Sequence, residues 1–144
     1  SDTTGASLQE FANAHFNLSV GKSSIAKDLF LAIVNSENPT PFKDDAYVLL
    51  TKVVEPYSHE YLSSLSNYLS NTPFISLNER LLWERAKAAD VTHTIITTSD
   101  RTLDFEINIA EVINHYEELI LEYPQGFYAP YARNRLSELP KPNS

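Results

Sequence analysis

The chain has 144 residues with 42% hydrophobic and 21% charged content, the composition of a soluble globular protein, and its apolar runs are too short to span a membrane. Nineteen acidic against eleven basic residues leave a formal charge of −8, which repels phosphate backbones and argues against nucleic acid as a partner. Cysteine is absent, so disulfides, thiol chemistry and cysteine-bearing metal sites are excluded.

The length fits one domain, residues 1–144, with no internal linker. A chain without methionine that opens on SDTTGAS reads as a mature or trimmed product whose leader is missing, with residues 1–6 as a flexible tether. Ser7-Leu8-Gln9-Glu10 is a capping box that predicts a first helix from Ser7, burying Leu8, Phe11, Ala12 and His15 and released by Gly21. Ser23 or Ser24 caps a second helix carrying Ile25, Ala26, Leu29, Phe30, Ile33 and Val34. A third runs from about Lys43 through Ala46, Leu49, Leu50, Val53 and Val54 and stops at Glu55-Pro56, since a residue before proline is pushed out of the helical region.

Ser58 opens a fourth helix with Tyr61, Leu62, Leu65, Tyr68 and Leu69 on one side, closed by residues 71–73. A second capping box, Ser76 to Glu79, opens the fifth, with Leu82, Ala86, Ala89, His93 and Ile96 on a helical stripe. Its end, VTHTIITT, is rich in β-branched residues that suit a strand. Helix is nevertheless expected through about residue 97, because a lone strand would leave its backbone groups without partners.

Residues 98–102 read as a polar turn. The sixth helix carries the clearest pattern in the chain, with Ile109, Val112, Ile113, Tyr116, Leu119, Ile120 and Tyr123 at steps of three and four. Pro124 ends it, Gln125-Gly126 turns the chain, and Pro130 starts a seventh helix in which Tyr128, Ala132, Leu136 and Leu139 resume the spacing. Residues 140–144 should fray.

The hairpin of helices six and seven repeats an earlier one. At an offset of 86 without gaps, Phe30 falls on Tyr116, Ile33 on Leu119, Val34 on Ile120, Phe42 on Tyr128, Ala46 on Ala132 and Leu50 on Leu136. Leu65, Tyr68, Leu69 and Pro73 fit the same frame at an offset of 35 from Phe30, Ile33, Val34 and Asn38. Self-similarity at about 34 residues is the mark of a helical repeat array.

These segments resemble tetratricopeptide-type repeats, in the variant found in bacterial envelope proteins of the BamD and CpoB type. The motifs that carry the resemblance are Tyr123-Pro124, Tyr128-Ala129 and Ala132-Arg133. It implies an all-α fold of about seven antiparallel helices in a right-handed array, three two-helix pairs followed by a C-terminal capping helix. Helices one, three and five would then line a concave face. With the missing leader it also implies a periplasmic or outer-membrane-anchored protein, a cytoplasmic one being the alternative. The first repeat departs from the pattern in having Asn38 where Pro124 stands, and the longer fifth helix would deform or fill the groove.

No catalytic signature is present. His15, His59, His93 and His115 stand alone, without a second ligand at a helical zinc spacing, and His15 and His93 lie on apolar stripes while the other two read as surface residues. Glu111, Glu117, Glu118 and Glu122 fit the solvated face of an amphipathic helix better than a carboxylate pair. Three glycines, at 5, 21 and 126, cannot build a phosphate-cradling loop, and no cofactor is implied.

Trp83 lies off the Leu81 and Leu82 stripes of the fifth helix, where a globular helix would carry polar residues. It either packs on an adjoining helix or anchors a partner, with Arg80, Lys87 and Tyr47 as companions if helices three and five share a groove. The composition and the resemblance together predict a non-enzymatic scaffold that binds another protein or peptide, one its charge would favour being basic. The rivals are an acidic inhibitor that blocks a toxin or enzyme, and a helical accessory domain of an enzyme.

Overall fold

Seven α-helices and no strand are found among the described residues of the computed structural model, which are 3–37, 40–54, 58–70, 78–99 and 105–141. The helices are α1 (Thr3–Ser19), α2 (Ser23–Asn35), α3 (Lys43–Leu50), α4 (His59–Ser70), α5 (Glu79–Thr98), α6 (Ile109–Glu122) and α7 (Ala129–Glu138). They sort into two compact units, Ser1–Glu55 and Pro56–Ser144.

In the first unit α2 packs against both α1 and α3. Its core is Ala14, Ala26, Phe30, Ile33, Val34, Ala46, Tyr47 and Leu50. The α1–α2 turn is closed at Gly21, whose φ of 82° lies in the left-handed region that a side chain disfavours. There the Lys22 N–H donates to the Asn17 carbonyl at 2.9 Å and the Gly21 N–H to the Leu18 carbonyl at 3.1 Å, which satisfies two carbonyls that a helix end would otherwise leave open.

In the second unit α4 packs on α5, α5 on α6 and α6 on α7. α5 presents Leu81, Leu82, Ala86, Ala88 and Ala89 to the core, α4 presents Tyr61, Leu62, Leu65 and Leu69, and α6 presents Val112, Tyr116 and Leu119. The β-branched stretch 91–98 is helical, as expected. The Thr97 hydroxyl returns to the His93 carbonyl at 2.9 Å and Thr98 to that of Thr94 at 2.5 Å, so these side chains bond within the helix rather than compete with it.

The repeat read from the sequence has a structural counterpart. α2 and α6 begin 86 residues apart, at Ser23 and Ile109, and so do α3 and α7, at Lys43 and Ala129. Phe30 and Tyr116 are buried alike, as are Ile33 and Leu119, and Ala46 and Ala132. Each of the second helices is entered through the same bond at 2.9 Å, Ala46 N–H to the Phe42 carbonyl and Ala132 N–H to the Tyr128 carbonyl. Val34 and Leu50 are buried where Ile120 and Leu136 are half-buried.

Several local expectations need correction. α1 starts at Thr3 rather than Ser7, so the capping box lies inside the helix and part of the expected tether is helical. Its inward stripe is Phe11, Ala14 and Leu18, while Leu8, Ala12 and His15 are exposed, because both sets have helical spacing and the first is the one that meets α2, through Phe11 on Phe30. α3 ends at Leu50, and Val53 and Val54 follow in turns bonded to its carbonyl. Lys22, not a serine, precedes α2 without a side-chain cap. Asn78 caps α5 by accepting from the Leu81 N–H at 3.2 Å, whereas Ser76, like the stop signals at Asn38, 55–56, 71–73 and 100–102, lies outside the described residues.

An aromatic face on the second unit

Helix α5 places Trp83 between two rings. Its indole is stacked on Tyr128, centroids 5.2 Å apart and planes at 16°, and tilted against Tyr116 at 5.9 Å and 58°. In the first unit Phe11 is stacked on Phe42 at 5.3 Å and 18°, and meets Phe30 edge-on at 6.0 Å and 64°. The same three-ring arrangement therefore recurs, with Trp83 in the place of Phe11, 72 residues on. Trp83 packs on adjoining helices, one of the two readings open to it from the sequence, and stays half-buried.

Beyond that stack the rings continue to the surface. Tyr131 lies 6.3 Å from Trp83, and Phe127 lies 5.7 Å from Tyr131 and 5.0 Å from Tyr128. Phe127 is 69% exposed and Tyr131 56%. Sequence reasoning missed both, since Phe127 falls in a turn and Tyr131 off the helical stripe; the signal available was a cluster of three aromatics within five residues.

The turn that carries Phe127 is held from three sides. The Gly126 N–H donates to the Tyr123 carbonyl at 3.0 Å, Arg133 Nη2 to the Pro124 carbonyl at 2.7 Å, and the Tyr128 N–H to Glu79 Oε2 at 3.3 Å. The glycine leaves room for the Glu79 carboxylate: a Cβ at 126 would stand 1.9 Å from Glu79 Oε2, which would have to move aside. A rigidly held exposed aromatic loses less conformational entropy when a partner covers it.

Of the residues singled out in the sequence, Arg80, Trp83 and Lys87 share one side of α5, three and four positions apart. Arg80 bonds Glu84 through Nε at 2.6 Å, an ion pair that raises its pKa, and Lys87 is exposed. Tyr47 belongs to the first unit and is buried there, a core residue and not an exposed anchor.

Beneath the rings lies a polar network with no local sequence signature. Asp90, 6% exposed, accepts from the Tyr116 hydroxyl at 2.7 Å and from Arg135 Nε and Nη2 at 2.7 and 2.9 Å. Burial opposes ionisation of Asp90, but the bonds from Arg135 and Tyr116 outweigh it and hold the carboxyl below the usual range. Burial first, and then the bond to Asp90, push the Tyr116 hydroxyl far above its ordinary value. Arg85, also buried, pairs with Glu118. His115, expected at the surface, is largely shielded, and burial with the nearby Arg85 charge lowers its pKa to about 4.

Among the described residues no group of three or more His, Asp or Glu is placed to hold a metal ion, and no helix is long and apolar enough to cross a membrane. Comparison with protein-family models, with curated proteins and with solved structures finds no match to this chain.

Proposed function

We propose that this chain is a non-enzymatic protein-binding scaffold of the tetratricopeptide-like class, a right-handed helical array capped by α7, and that the face formed by Trp83, Phe127 and Tyr131 is where it takes hold of its partner. The observation that carries this reading is the chain's own internal control. At the offset of 86, Phe127 and Tyr131 correspond to Pro41 and Asp45, which are exposed. The framework is thus built in the first unit without aromatic residues at these two places, and their cost in exposed apolar surface in the second calls for a reason outside folding.

Aromatic side chains supply much of the energy at protein interfaces, and Trp83 with Arg80 beside it has the composition of such a centre. The envelope setting rests on the resemblance of the Tyr123-Pro124 turn and the Tyr128-Ala129 and Ala132-Arg133 pairs to envelope repeats. A photo-crosslinking residue at Phe127, compared with one at Asp45 in otherwise native chains, tests the binding reading in an envelope extract. A discrete adduct at 127 that is absent at 45 supports it; equal or no adducts at both positions contradict it.

A further inference from the structure

Helix α7 has a thin apolar base. Its buried side chains are Ala129 and Ala132, with Leu136 only half-buried, whereas its counterpart α3 buries Ala46, Tyr47 and Leu50. Where α3 has Tyr47 and Leu49, α7 has Arg133 and Arg135. The receiving helix changes in step, since Asp90 stands 72 residues after Leu18, the offset that relates Phe11 to Trp83. A charge pair in the second unit thus takes the positions of two leucines in the first.

Such a pair does not hold a helix more firmly than well-packed apolar side chains would, because removing both ions from water offsets much of their attraction. It does fix one docking register, through the two-pronged Arg135–Asp90 contact, and it separates into groups that water solvates well. Arg135 already has 34% of its side chain exposed.

We infer that α7 is a latch, a segment that opens from α5 and α6 ahead of the rest of the second unit and re-docks in one register through Arg135 and Asp90. Opening takes Arg135 away from the Asp90 carboxylate, which keeps its bond from the Tyr116 hydroxyl, and carries Tyr131 away from Trp83. It is a property of the chain alone and does not depend on what Phe127 and Tyr131 bind.

Native-state hydrogen exchange of the full chain at increasing sub-denaturing urea tests this. The amides of residues 133–139 should exchange roughly tenfold or more faster than those at the centres of α5 and α6, with little dependence on urea, the behaviour of a local opening. Arg135→Ala should accelerate them roughly tenfold further with α5 and α6 little changed. Asp90→Leu with Arg135→Leu, which installs the residues of the first unit, should slow them towards the α6 rate. Exchange of wild-type α7 at the α6 rate and with the α6 urea dependence would overturn the inference, as would an Arg135→Ala variant that accelerates all three helices equally. If the double variant does not fold, the wild-type urea dependence decides the matter.

Discussion

Trp83 stacks on Tyr128 at 5.2 Å and 16°, the relationship that Phe11 has to Phe42 at 5.3 Å and 18° in the other unit. A phenyl ring is therefore sufficient for the structural part of the position, and the larger indole adds surface towards Tyr131. Trp83→Ala should cost about 2 to 3 kcal/mol, less than for a fully buried ring because the indole is half-exposed, and Trp83→Phe less than about 1 kcal/mol. Urea denaturation distinguishes these. A phenylalanine variant as unstable as the alanine one would show that the two stacks are not equivalent.

The α6–α7 turn gives a second expectation. Gly126→Ala must displace the Glu79 carboxylate and with it the bond from the Tyr128 N–H, a loss of about 1 kcal/mol. In a Glu79→Ala background the same substitution should cost clearly less, because its main obstacle has gone. Additive losses in this double-mutant cycle would mean that Glu79 does not occupy the turn.

Tyr116 donates to a buried carboxylate, and Phe30 shows that the helix tolerates a plain ring at that place. Tyr116→Phe removes one of the donors of Asp90 without leaving a cavity, and should destabilise by about 1 to 2 kcal/mol, the range for a bond to a charged group. The reverse change, Phe30→Tyr, has no such acceptor and should not stabilise the first unit. Thermal unfolding of the two variants provides the comparison.

His115 makes stability depend on pH. Its folded pKa is lowered from 6.5 to about 4, first by burial and then by Arg85, so the unfolded chain binds the proton more readily. The contribution is fully present above pH 6.5 and is lost as pH falls from 6.5 to about 4; after allowing for residual exposure it is on the order of 2 kcal/mol. His115→Gln should flatten the stability profile over that window. A profile unchanged by the substitution would place the imidazole in water.

Periodicity made the helices and the repeat legible, because Ile109 to Tyr123 admits one inward stripe, and the 86-residue offset relates both pairs of helix starts. It placed Phe11 of α1 inward but chose Leu8, Ala12 and His15 to accompany it where Ala14 and Leu18 do, since both sets have helical spacing and only contact with α2 decides between them. The candidate site was half legible. Trp83 stands out as an aromatic residue on the polar side of a helix, whereas Tyr47 shares its residue type with surface anchors yet is a core residue. Asp90 and Arg135 lie 45 positions apart, and a pair that meets across two helices leaves no local pattern to read.

The most direct test of the central claim, that the second unit turns a shared framework into a binding face, gives that unit the residues of the first. Phe127→Pro with Tyr131→Asp should change the unfolding free energy measured in urea by no more than about 0.5 kcal/mol, the range of surface substitutions, while the adduct formed from a crosslinker at Lys87 disappears. A variant that loses several kcal/mol, or one that forms the adduct as the native chain does, would contradict the account.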